Sequence, residues 1–138
     1  MKIALFVALG IASLAVAALL FGRITNAGVE RELREDPNGE RARKVMLLTL
    51  PSGKNIPVNY LREAGTVYAG ADFPWWRELR GTGGPVTVLI RGESLRGHAR
   101  AVEDDATLRR AVFRRLRPTA PTWTGTLVEV TLETESTP

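Results

Sequence analysis

The residues from Ile3 to Gly22 are all apolar or small except Ser13. As a helix rising ~1.5 Å per residue the stretch is roughly 30 Å long, about the thickness of a bilayer core. Residues 1–22 are therefore expected to form an N-terminal transmembrane anchor. A cleaved signal peptide is the competing reading, because Lys2 supplies a basic start and Thr25-Asn26-Ala27 a small-residue cleavage site. The apolar run exceeds the ~7 to 15 residues usual in a signal peptide, which favours a retained anchor. Only Lys2 precedes the span, whereas Arg23, Arg31, Arg34, Arg41 and Arg43 follow it. The positive-inside rule then expects a single-pass protein of the cell membrane with its C-terminal domain in the cytoplasm and the lipid bilayer as a partner.

Residues 23–43 mix charges of both signs with few large apolar side chains, and are expected to be a juxtamembrane stalk. Any helix continuing through 29–36 should stop at Asp36-Pro37-Asn38-Gly39, since proline disfavours helix in the residue before it and Asn-Gly is turn chemistry. The net charge of +4 resides mainly in 16 arginines against 3 lysines spread along the chain. No aromatic residue is regularly interleaved with them, so a nucleic-acid partner is not expected. The chain has no cysteine, which excludes disulfides, thiolate metal sites and a lipidated N-terminal cysteine. With His98 as its one histidine, no metal site is expected.

From Lys44 onward short apolar runs alternate with turn residues. "KVMLLTL", "NIPVNYL" and "TVYAGA" read as three strands. "PVTVLIRG" follows, with "ESLRG" as a hairpin turn into "HARAVED", and "GTLVEVTLE" closes the series. Two helices interrupt them. One covers residues 73–80, with Pro74 at its start and Asp72 as candidate cap. The other, in "DDATLRRAVFRRLRP", is capped by Asp104 or Asp105 and stopped by Pro118. Leu108, Val112, Phe113 and Leu116 make its apolar stripe, and Arg110, Arg114 and Arg117 fall outside it. Arg109, Arg110, Arg114 and Arg115 are read as facing lipid or solvent. Six short strands in residues 44–138 must protect their edges, and a closed sheet does so economically. The fold class expected is mainly β, a small six-stranded barrel with two short helices; an open antiparallel sheet under one helix is the alternative.

Four segments in this order, Ser52-Gly53-Lys54, Pro57-Val58-Asn59-Tyr60, Trp76-Arg77-Glu78-Leu79 and Gly84-Pro85-Val86, resemble the split-barrel flavin and deazaflavin oxidoreductases, the superfamily of pyridoxamine phosphate oxidase, in particular its deazaflavin-dependent nitroreductase-like branch. The resemblance spans roughly residues 44–133. It implies a six-stranded split barrel that pairs into a homodimer and binds a deazaflavin coenzyme by preference, or FMN, in a groove at the barrel wall. It also implies hydride transfer to a hydrophobic acceptor such as a quinone or nitro compound. Cofactor-binding residues implied are Gly53 and Lys54 at the phosphate, with Pro57, Asn59, Asp72, Trp75, Trp76 and Arg77 around the ring; no catalytic residue is assigned. On the short helix Trp75, Trp76 and Leu79 share an arc, so one indole, Trp76, is expected to pack inward, leaving Trp75 or Arg77 for the groove.

The chain departs from that branch in two places. "GADFP" lacks the basic residues usual before the tryptophan helix, and Glu78 stands where asparagine is usual. A barrel without cofactor or redox activity, serving as a binding module, is the alternative. It would be favoured if the tryptophan helix closed the groove and Lys54 pointed away.

Overall fold

In the computed structural model, residues 2–134 are described, except for the side chains of residues 18–25. The strands are β1 (Val45–Thr49), β2 (Asn55–Glu63), β3 (Thr66–Ala71), β4 (Gly84–Ile90), β5 (Glu93–Val102) and β6 (Thr126–Leu132). Helices α1 (Lys2–Glu35) and α2 (Glu40–Lys44) precede them. A 3-10 helix (Pro74–Leu79) lies between β3 and β4, and α3 (Ala106–Leu116) between β5 and β6. All pairings are antiparallel and close a barrel in the order β1-β2-β3-β6-β5-β4. The six strands, the split by the short helix and the late helix match the order expected from the sequence.

Alternation sets the inside of the barrel. Met46 and Leu48, Val67 and Ala69, Val86 and Val88, Ala99 and Ala101, and Val128 and Val130 point into one core, and most are fully buried. A second cluster lies outside the wall. Val112 and Phe113 of α3 are buried there against Val102 and Leu127, with Leu108 and Leu116 beside them, which is the stripe the helical wheel predicts. Asp105 caps α3, its carboxylate accepting from the Leu108 N–H at 2.9 Å.

One turn differs from expectation. The β4–β5 hairpin turns on Arg91-Gly92, between paired Ile90 and Glu93, while "ESLRG" belongs to β5. Both turn residues have positive φ, 50° and 80°, as a tight type I′ connection requires. The first strand's partner also comes from the far side of the chain: Leu47 to Thr49 pair with Leu89 to Thr87, which closes the barrel.

The N-terminal expectation is corrected. Among the described residues no helix is long and apolar enough to cross a membrane. Residues 18–22 of the expected span fall among the undescribed side chains. The cell-membrane location, the cytoplasmic orientation and the bilayer partner rested on that span and are withdrawn with it. The segment read as a stalk also docks. Leu33 and Ala42 are buried against Leu47 of β1, with Val29 packed beside them. Asn55 Nδ2 donates to Glu30 at 3.3 Å and the Tyr60 hydroxyl to the Ala42 carbonyl at 3.3 Å. α1 ends at Glu35, as Asp36-Pro37 requires.

Candidate functional site

The β2 strand is nine residues long, yet its neighbour on one side changes along its length. Tyr60 to Glu63 pair with β3, whereas Asn55 to Asn59 pair with β1 alone. On the facing strand Gly70 and Ala71 pair with β6 alone. Beyond the Tyr60–Ala69 bridge the two strands therefore part, and the barrel wall opens into a fork. Proline is tolerated at position 57 because that part of β2 has a strand on one side only.

A groove of about 1030 Å³ occupies the fork. Its floor is Ile56, Pro57, Val58 and Asn59; Gly70 and Asp72 bound it on the β3 side. Phe73 and Trp75 enter from the short helix, Leu116 and Arg117 from the end of α3, and Asn26, Val29 and Arg41 from the N-terminal helices. Lys54, at the mouth of β2, is exposed and lines it too. A smaller hollow of about 340 Å³ adjoins it, sharing Arg41, Val45 and Asn59 but otherwise walled by Glu32, Glu40 and Lys44. The larger space combines an apolar floor, an aromatic wall and three cationic side chains, the composition of a site for a flat ligand carrying negative charge.

Of the residues singled out in the sequence, Lys54, Pro57, Asn59, Asp72 and Trp75 come together on this groove. Gly53, Trp76 and Arg77 do not line it. Gly53 (φ 88°) gives its N–H to the Leu50 carbonyl at 2.8 Å, closing the turn that Leu50 N–H and Lys54 carbonyl seal at 2.9 Å. That donor is therefore committed within the turn. Both indoles are half-buried and pack on the barrel core. Trp76 also carries the Arg80 guanidinium over its face at 4.6 Å, with Arg77 more distant at 6.0 Å. Arg80 then reaches Glu103 at 3.4 Å, so this stack ties the short helix to the end of β5.

Asp72 does not cap the short helix, whose N-cap is Phe73 and lacks a side-chain cap. Its carboxylate instead accepts from Arg117 Nη1, at 2.9 and 3.0 Å. Arg117, placed outside the α3 stripe by the helical wheel, turns back toward the barrel because it is the C-cap, with φ −144° and ψ 75°. Its guanidinium lies 4.1 Å over the Phe113 ring, and Nη2 donates to the Thr124 carbonyl at 2.9 Å. His98 sits on the exposed side of β5 with Nε2 at 2.5 Å from the Thr82 carbonyl, away from the groove. Asp104 and Asp105 serve α3 and an Arg100 ion pair at 3.8 Å.

No protein-family model matches the chain, and no curated protein matches it either. Solved structures match in shape. A pyridoxamine 5′-phosphate oxidase-like protein from Listeria innocua is 18% identical, with a TM-score of 0.53 over 66% of this chain and 85% of that one. General Stress Protein 26 of Bacillus anthracis is 20% identical, TM-score 0.47, over 73% and 89%. The heme storage protein HutZ of Vibrio cholerae is 15% identical, TM-score 0.48, over 77% and 91%. The first of these likenesses identifies the fold as the split barrel; at such identity it speaks for the fold alone.

Proposed function

We propose that the fork groove binds a flavin, with FMN as the simplest form, and that the protein is a split-barrel oxidoreductase acting on a flat hydrophobic acceptor such as a quinone or nitro compound. The observation that carries this is the groove itself: about 1030 Å³ of open space where β2 and β3 part, with Lys54 on its lining and Trp75 on its wall. The short helix does not close it and Lys54 does not turn away, the two conditions that would favour a barrel without ligand.

The residues fit such a group by chemistry. Ile56, Val58 and Trp75 offer an apolar bed for a ring, and the amide of Asn59 offers a donor and an acceptor for ring carbonyls and nitrogens. Lys54, Arg41 and Arg117 supply positive charge for a phosphate. Of these, Arg41 is already engaged by Glu32 at 2.7 Å and Arg117 by Asp72 at 2.9 Å. A bound flavin would supply reversible hydride transfer, and the protein contributes orientation and exclusion of water. That division of labour needs no triad. Phe73, an aromatic that is 74% exposed at the groove, stands where an apolar acceptor would enter.

The test is titration of the full chain with FMN and with deazaflavin coenzyme, following tryptophan and cofactor fluorescence. Saturable binding that weakens in Lys54→Ala and in Trp75→Leu is expected, and it would justify a screen of quinone and nitro acceptors. A folded protein that binds neither cofactor overturns the reading.

A further inference from the structure

Arg117 is held by contacts that do not involve Asp72. Thr124 accepts from Nη2, and the Phe113 ring lies beneath the guanidinium. The backbone crowds it from two directions: a Cβ on Gly70 would stand 3.2 Å from Nη2, and one on Gly125 would overlap the same atom. The side chain is only 17% exposed, and Nε is buried without a partner among the described residues. A cation this tightly framed, facing a ligand-sized groove, keeps its place whatever lies against it.

Asp72 is the opposite kind of partner. Its side chain is 57% exposed, and both its carboxylate oxygens rest on the single nitrogen Nη1 instead of spanning the guanidinium fork. Water reaches the carboxylate side of the pair, so Asp72 can leave Arg117 for solvent at little cost. A phosphate brings more charge and three acceptor oxygens to the same nitrogens. We propose that Arg117 is the anion-recognition residue of the groove, and that Asp72 is an internal anion resting on it that a ligand phosphate displaces. This rests on the reading of the groove as a ligand site, and the phosphate is either that of a flavin nucleotide or a free phosphate compound.

The experiment measures the affinity of the full chain for FMN, for riboflavin, which lacks the phosphate, and for inorganic pyrophosphate. Proteins are the wild type, Asp72→Asn, Arg117→Gln, Arg117→Lys and the Asp72→Asn/Arg117→Gln double variant, each checked for a native melting transition. Removing the competing carboxylate is expected to tighten FMN and pyrophosphate several-fold and leave riboflavin unchanged, while Arg117→Gln weakens both by about tenfold or more and Arg117→Lys by less. In the double variant the gain from Asp72→Asn should vanish. A gain that persists there reflects bulk charge alone and overturns the proposal, as does an Asp72→Asn variant that binds FMN no tighter than wild type. If Arg117→Gln does not fold, Asp72→Asn decides through its FMN-to-riboflavin ratio. Failure of wild type to bind FMN, with pyrophosphate showing the expected pattern, removes the flavin reading and leaves this one standing. FMN binding indifferent to Arg117→Gln does the reverse, and binding of neither probe overturns both.

Discussion

Ser52 and Glu78, twenty-six positions apart, are joined by two hydrogen bonds: the Ser52 N–H donates to one carboxylate oxygen at 3.1 Å and its hydroxyl to the other at 3.0 Å. The short helix thereby holds the turn that presents Lys54. Glu78→Ala should destabilise the protein by about 1 kcal/mol, the net worth of such contacts at an exposed site. The sharper readout is local. Hydrogen exchange at the Ser52 amide should quicken in the variant while exchange in β5 and β6 does not; an unchanged Ser52 rate would show that the turn stands without Glu78.

Two left-handed glycines differ in how critical they are. Gly53 and Gly83 both have positive φ, 88° and 74°. A Cβ at Gly53 meets nothing within 4 Å, whereas one at Gly83 overlaps the Ala99 carbonyl oxygen. Gly53→Ala should cost about 1–2 kcal/mol, the left-handed penalty alone. Gly83→Ala should cost roughly 3 kcal/mol or more, because backbone must move as well. Urea denaturation of the two variants measures the difference directly, and near-equal midpoints would contradict the close approach.

What could be read from the sequence follows from which interactions are local. Strands β4 and β6 announce themselves through alternation at Val86, Val88 and Ile90 and at Val128 and Val130, and α3 through its stripe and Asp105 cap. The groove could not be read this way, because it depends on β2 leaving β3 at Tyr60 and keeping only β1, a matter of long-range pairing. Arg117 was misplaced for a geometric reason: a helical wheel continued through 117 points it to solvent, but the helix stops at Leu116 and the C-cap dihedrals swing the side chain back. Glu78 looked like a departure from a family pattern, and its partner Ser52 lies in a turn that no spacing rule connects to it. The β4–β5 turn was set too late because arginine at positive φ disguises the Arg91-Gly92 pair.

Ala64 offers a gain in stability. It sits in the two-residue connection between paired Glu63 and Thr66, with φ 53°, a conformation in which its Cβ is strained. Ala64→Gly relieves that strain but frees the unfolded chain, so the net gain should be about 0.5–1 kcal/mol. A thermal melt of the variant should shift upward by a few degrees. No shift, or a downward one, would mean that the unfolded-state term dominates at this turn.

Tyr68 reports on the packing of α3 against the barrel. It lies beside Phe113 and Leu61 in the outer cluster and is paired across strands with Glu129. Burial raises its phenol above the ordinary value of 10.0, and the nearby Glu129 carboxylate raises it further. The folded state therefore keeps a proton that the unfolded chain has begun to lose. Above the unfolded value the unfolded state binds fewer protons, so stability falls as pH rises through 10.0 toward the folded value, and is fully present below that window. Tyr68→Phe should flatten this alkaline loss relative to wild type, and Glu129→Gln should bring the phenol's ultraviolet titration part of the way back toward the ordinary value of 10.0. Identical alkaline stability profiles for wild type and Tyr68→Phe would show that the ring is as wet in the folded protein as in the unfolded one, and that α3 does not seal this face of the barrel.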